Sequence, residues 1–438
     1  MMSRKMSVRG RSFAVAGLAI AAALTLAACA PPGGGSNSNS DSGPAKKSGT
    51  LKVGFIAPTS GVFAIAGQQM EDGWKFFWDQ AKNKAGNITV ETTYEDDTGD
   101  VNQSLSKAKQ LVEQDGVDIV VGPLIANTAS AVAAYTFSQG IPNLEPVAAS
   151  NNLTLSGAND LTVRTSSMGG TQANYPGGEW AATTGDAKTA VTLCSDYSFG
   201  WESCAGFKQG FEAEGGKIVK QLWAPNGTTD FSSYVSQLQA LNADMIYVAT
   251  AGGAPGPAFL NAYSSAGGDM SKLLLNCCAL DQGTLVSLDK AGNGDKILGV
   301  KSVSYWAEGA EHPATQAFVK KYTEATGVIP GAYIAGGYMT ADLVSQVLKE
   351  KGLLVGADLV SSITKFKFDD SIFGKVSWEK GNNMLGPVYI REVKRHADGK
   401  LYNDVIKEYD NVSQYLGKDE QSIITRDKDQ PYTNSFQG

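Results

Sequence analysis

From Leu51 onward the apolar positions fall into short runs separated by stretches with a helical period. "LKVGFIAP" (51–58) predicts a buried strand. The "AGQQMEDGWKFFWDQA" that follows sets Met70, Trp74, Phe77, Trp78 and Ala81 on one helical face. "NITVETTYED" predicts a second strand, and "VNQSLSKAKQLVEQDG" a helix with Val101, Leu105, Ala108 and Leu111/Val112 in register and a stop at Gly116. "VDIVVGP" predicts a strand, 128–138 a helix and "IPNLEP" another strand. Such alternation implies parallel strands joined by helical crossovers.

The pattern then restarts. "TAVTLCSD", "KIVKQLW", "DMIYVAT" and "KLLLNC" predict strands, and "FGWESCAGFKQGFEAEGG", "FSSYVSQLQALNA" and "PAFLNAYSSAGG" the helices between them. A faint internal repeat links the halves. "QLVEQDGVDIVVGP" and "QLQALNADMIYVAT" both read helix, turn, Asp, apolar strand, with Asp118 and Asp244 in matching places. A strand near 296–306 precedes helices at 313–326 and about 332–351, and the chain then turns to antiparallel strands with turns at Gly381 and Gly399. The expected fold class is α/β: two doubly wound lobes with a ligand cleft between them at the carboxyl ends of the strands.

Before Leu51 the pattern differs. Arg4, Lys5, Arg9 and Arg11 precede an apolar run from Phe13 to Ala28, too short for a comfortable membrane span, which reads as a signal peptide over 1–28. "LAAC" at its end resembles the lipobox of bacterial lipoproteins, with Cys29 taking the lipid. The Gly-, Ser-, Asn- and Pro-rich segment through 49 is too poor in apolar side chains to fold and reads as a tether. The expected location is the extracellular face of the cell membrane, held by the lipid anchor.

Charge and composition exclude several classes. There are 37 basic and 44 acidic residues, a net charge of −7, and −11 once the leader with its four bases is gone. An acidic chain without basic runs does not suit nucleic acid. The two histidines, His312 and His396, lack metal-ligand spacing, so neither a metal nor a cofactor is expected. Ser-x-x-Lys occurs at Ser104–Lys107 and Ser362–Lys365 without the partner motifs of penicillin-binding enzymes, so a lipid-anchored hydrolase is a weak rival and no enzyme is expected.

The ordered segments "PTSGVFAIAGQQMEDGWKFFWDQA", "YEDDTGD", "VGPLIANTASAV", "IPNLEPVAASNNLT", "RTSS", "SDYSFGWESCAGFKQGFEAEGG" and "TDFSSYVSQLQALNADMIYV" resemble the branched-chain amino acid-binding proteins of ABC importers, with the type I periplasmic-binding-protein fold. The resemblance runs from about Leu51 to Val405. It implies lobe one over 50–166 plus 304–386, lobe two over 167–303 plus 387–412, a tail over 413–438, and three interlobe crossings near 164–167, 303–306 and 385–388. It also implies a monomer that captures a small organic solute and delivers it to permease and ATPase subunits; a sensor subunit of a signalling system would use the same fold.

The resemblance also implies where the ligand would lie. The family holds a ligand carboxylate with two hydroxyl residues and backbone N–H groups. The expected serine falls at Ala126, between Ile125 and Asn127, and the expected threonine at Ala149, after Val147 and before Ser150. Asn127, Thr128 and Ser150 are substitutes or, equally, helix caps. The acid that meets a ligand ammonium falls at Cys278, where a thiol cannot balance the charge, while Asp281 reads as a helix cap. Phe63, Phe199, Trp201 and Tyr333 stand at loop positions that line the family's cleft. Together these imply a ligand less zwitterionic than leucine, such as an aromatic or other apolar carboxylate or an amide.

Setting Cys29 aside, four cysteines allow three pairings. Cys194 ends a strand and Cys204 lies on the helix that packs back over it, which favours that pair in an oxidising compartment. Cys277 and Cys278 are left as neighbours and are expected to bond, as a rigid plate in the cleft wall, with two buried thiols as the equal alternative.

Overall fold

A computed structural model describes residues 47–435. The leader, Cys29 and the tether up to residue 46 lie outside the described residues. Among those described, no helix is long and apolar enough to cross a membrane.

The first lobe is built on β1 (Gly49–Ala57), β2 (Lys84–Ala85), β3 (Ile88–Asp96), β4 (Ile119–Val121), β5 (Asn143–Glu145) and β6 (Thr162–Arg164). They pair in the order β2-β3-β1-β4-β5-β6, parallel except at β2. Helices α1 (Ala64–Gln80), α2 (Val101–Lys109) and α3 (Ala126–Ser138) are its crossovers. The apolar face of α1 is buried as its period requires, with Met70, Trp74 and Trp78 against the sheet core.

The second lobe opens with α4 (Gly170–Ala182). Strands β7 (Thr189–Ser195), β8 (Lys217–Ala224), β9 (Met245–Ala249), β10 (Leu273–Asn276) and β11 (Lys301–Ser304) follow, pairing in parallel as β8-β7-β9-β10-β11. Their crossovers are α5 (Ser198–Ala213), α6 (Ser232–Leu241), α7 (Pro255–Ser265) and α8 (Gln282–Lys290). Leaving β2 aside, the parallel strands of both lobes share one order: the second, first, third, fourth and fifth in sequence. The faint repeat in the sequence therefore marks a real equivalence. Asp118 accepts from Lys52 N at the start of β1, and Asp244 accepts from Thr189 N at the start of β7, so each ties the third parallel strand of its lobe to the first.

The chain then returns. Helices α9 (Pro313–Thr326), α10 (Ala332–Lys351) and α11 (Gly356–Thr364) precede β12 (Phe368–Ser371), β13 (Gly374–Glu379), β14 (Asn383–Arg395) and β15 (Leu401–Val412), and α12 (Glu420–Asp429) follows. α10 packs along α1, where Gly73 and Gly337 bring the two helix backbones together. β14 joins the lobes: it starts against β13 and continues antiparallel to β11 and β15. The turns at Gly381 and Gly399 have φ of +81° and +88°, which suits glycine.

The segments between lobes are pinned by buried arginines. Arg164 donates to the carbonyls of Ala148 and Ser150, to Thr154 Oγ1 and, at 2.6 Å, to Asn383 Oδ1. Arg391 reaches Ser302 Oγ, Trp306 O and Leu280 O.

Candidate ligand-binding cleft

Strand carboxyl ends from both lobes converge on one small, partly open cavity with about 20 Å³ of free space. Leu124, Ile125 and Ala126 follow β4, and Val147 and Ala149 follow β5. From the other lobe, Tyr197 and Phe199 follow β7, Ala251 and Gly252 follow β9, Cys277 and Cys278 follow β10, and Tyr305 follows β11. Tyr333 enters from the first turn of α10. Crevices beyond strand ends are where doubly wound sheets bind ligands, because helix starts and irregular backbone meet there.

The chemistry of the wall is uniform. No charged side chain lines this cavity among the described residues. Its polar side-chain groups are tyrosine hydroxyls and cysteine thiols. Burial pushes the hydroxyls of Tyr197, Tyr305 and Tyr333 well above the usual tyrosine value, so all three remain protonated donors. The Tyr333 hydroxyl is buried beside Cys278 and lies directly over Gly252. α3 begins at Ala126 with no side chain capping it, so its first-turn N–H groups open at the cavity edge, where an anion is favoured.

Two acidic residues stand near the cavity, one of them already engaged. Asp281 caps α8 through Gly283 N at 3.4 Å and accepts from Ala332 N, at the start of α10, at 2.9 Å. Burial raises its carboxyl above the ordinary range while those N–H groups pull it back. The expected capping role is what the structure holds. Glu145, at the end of β5, is fully buried with neither oxygen hydrogen-bonded; burial pushes it up to about 8 against the opposing pull of Arg164.

The structure gathers most, but not all, of the residues expected at the site. Ile125, Ala126, Val147, Ala149, Phe199, Cys278 and Tyr333 share the cavity wall. Four others are placed elsewhere. Phe63 packs at the lobe contact beside Gly99 and Gly253, because Val62 O is held there by Ala254 N at 3.2 Å. Asn127 is exposed and accepts from Ser198 Oγ at 2.6 Å, joining α3 to the start of α5. Ser150 turns its carbonyl to Arg164. Trp201 is drawn aside by Asp196, which accepts its indole N–H at 2.7 Å. Conversely Leu124, Tyr197, Ala251, Gly252 and Tyr305 line the cavity without having been expected; each lies one to three residues past a strand end, which is the signal that finds them.

Of the two cysteine pairs, Cys194 and Cys204 are bonded, with Cα atoms 6.3 Å apart. The bond expected between Cys277 and Cys278 is not formed: they stand as two thiols with Sγ atoms 2.9 Å apart. The backbone of this turn is set by Asn276, whose side chain accepts from Ala279 N and donates to Thr250 O.

Two lobes of one strand order, closing strand ends around a small apolar cavity, define a bilobal solute-binding protein. Comparison with known proteins agrees. The model of the periplasmic binding protein family matches residues 50–400, and the chain belongs to that family. Leu/Ile/Val-binding protein homolog 6 of Brucella melitensis is 27% identical over 368 residues, covering 82% of this chain and 92% of that protein. Among solved structures, a solute-binding protein of an ABC transporter from Rhodopseudomonas palustris, in complex with 3,4-dihydroxybenzoic acid, superposes with a TM-score of 0.76 at 27% identity, covering 83% of this chain and 98% of that one. A second from R. palustris, in complex with 4-hydroxybenzoate, gives 0.75 at 27% identity, covering 84% and 98%.

Proposed function

We propose that this protein captures an apolar monocarboxylate, an aromatic acid foremost, on the outer face of the cell membrane and delivers it to the permease and ATPase subunits of an ABC importer. The observation that carries this reading is the cavity wall: apolar and aromatic side chains, uncharged donors, and an uncapped helix start at Ala126 to meet a carboxylate. An α-amino acid would also need an acid for its ammonium, since a buried unpaired charge is costly. Cys278 supplies none, and Asp281 is committed to two helix starts. The benzoic acids bound by the two R. palustris relatives support the same ligand class. In this reading Cys29 carries the lipid, the segment to 49 is the tether, and the lobes, 50–166 plus 304–386 and 167–303 plus 387–412, close about the three crossings.

Isothermal titration of the lobes with benzoate, 4-hydroxybenzoate, benzamide and leucine tests the ligand class. We expect micromolar or tighter binding of a benzoate, weaker binding of benzamide, which lacks the anion, and none of leucine. Micromolar leucine binding with no response to any aromatic acid would overturn the reading.

A further inference from the structure

We propose that Cys277 and Cys278 are a modification site inside the ligand cleft: oxidation closes them into a disulfide between neighbouring residues, and the closed ring is the form that binds ligand tightly. The proposal rests on the reading of the cavity as a ligand cleft and adds a chemical state that sets its affinity.

Three independent observations support it. The sulfurs are already 2.9 Å apart, so closure needs a movement of less than about 1 Å to reach a normal S–S bond. Both residues line the cavity, at the position where the wall lacks any charge. A second pair in the same lobe, Cys194 and Cys204, is already a disulfide, so the fold carries oxidised sulfur. The backbone of the turn that would hold the ring is fixed by Asn276 through Ala279 N and Thr250 O.

Access fixes the order of events. Cys277 is buried, while Cys278 is partly exposed and also borders a second small cavity beside Gln69 and Gly253. Its sulfur therefore meets the oxidant first. With oxidised glutathione as that oxidant, the Cys278 thiolate attacks one glutathione sulfur; the glutathione S–S bond breaks, a Cys278–glutathione bond forms, and one glutathione leaves. The Cys277 thiolate then attacks Cys278 Sγ, forming the ring bond and expelling the second glutathione. Two electrons pass from the cysteine pair to glutathione, and the two thiol protons end on the two reduced glutathiones. Closure replaces two thiol hydrogens, which would face an apolar ligand unpaired, with a rigid sulfur surface. Sulfur of this kind packs favourably against an aromatic ring.

The test uses the protein without its leader and with Cys29→Ala, exchanged against oxidised glutathione or a mild dithiol. Cys194 and Cys204 are fully buried, so the cleft pair responds first. Non-reducing peptide mapping should find the 277–278 peptide lighter by two hydrogens after oxidation, and benzoate should bind about tenfold tighter to that form than to the reduced one. The Cys277→Ser/Cys278→Ser variant should bind like the reduced protein in both buffers. Two free thiols after oxidation would overturn the proposal. So would equal affinity in the two states, or a redox response that survives in the double variant, which would belong to Cys194–Cys204. If no aromatic acid binds in either state, the ligand reading falls, and ring closure is then decided by the mapping alone.

Discussion

Gly252 is where the cleft has least room. A Cβ there would stand 2.0 Å from the Tyr333 hydroxyl oxygen. Gly252 follows β9 in one lobe and Tyr333 opens α10 against the other, so an added methyl group wedges the two sides apart. Gly252→Ala should weaken benzoate binding by about tenfold or more, while the ligand-free melting temperature moves by less than about 2 °C. Unchanged affinity would mean that the Tyr333 ring swings aside at no cost. Glu145 poses a different problem at the same scale, a buried carboxyl with no hydrogen-bond partner and a pKa pushed up to about 8 by burial. Its folded value exceeds its unfolded one, so the folded state binds the extra proton. That contribution is complete below about pH 4.5, the unfolded value, and is lost as pH rises through about 8. Glu145→Gln, which cannot ionise, should therefore raise the melting temperature at pH 8.5 by about 2 °C or more and change it little at pH 5, as differential scanning calorimetry would record. An equal shift at both pH values would contradict the burial account.

At the scale of elements, what the sequence disclosed depended on what held each element. β1, α1, β3, α2, β4 and β5 carry their own pattern, and so do their counterparts in the second lobe, because each helix buries one face against a sheet and the central strands are buried on both faces. α4 does not. "GTQANYPGGEWAA" holds four glycine and proline residues in thirteen, a composition that disfavours a helix, yet it is helical because α5 packs against it at backbone distance. A Cβ at Gly178 would stand 2.0 Å from Phe207 O, and one at Gly210 2.1 Å from Tyr175 O. The glycines that lower helix propensity are the ones that permit the contact. Gly178→Ala should improve local propensity yet destabilise the protein by about 2 kcal/mol, seen as a lower denaturant midpoint, because backbone cannot yield as a side chain can. A stabilised variant would show that α4 stands apart from α5. The cavity was legible only in part for a related reason. Strand ends could be read from the pattern, and the family resemblance then placed Ala126, Ala149 and Cys278 beside them. Which side chain then turns inward depends on partners distant in sequence, such as Ser198 for Asn127 and Arg164 for Ser150.

At the scale of the molecule, ligand exchange and anchoring are separate problems. The lobes touch through Val62 O with Ala254 N, Asn127 with Ser198, Asp281 with Ala332 N and Glu202 with Asn151 N, contacts that surround the cavity, so the bonds at its edge must open for ligand to exchange. The first two are single hydrogen bonds that each involve one exposed residue and are worth about 1 kcal/mol net, so they hold the closed state weakly and ligand contacts shift the balance between open and closed. Under the proposed reading, anchoring depends on nothing in the lobes. Among the described residues no helix can cross a bilayer, and the chain beyond the leader is acidic, which gives no attraction to an anionic membrane surface. Under the proposed reading all membrane affinity comes from acyl chains on Cys29, since each buried methylene adds about 0.8 kcal/mol and the polar tether adds none. Cys29→Ala, expressed with its leader, should move the protein from the detergent phase to the aqueous phase on partition, with benzoate affinity unchanged in the released material. Retention of the variant in the detergent phase would show that the membrane is held by something other than the lipid on Cys29.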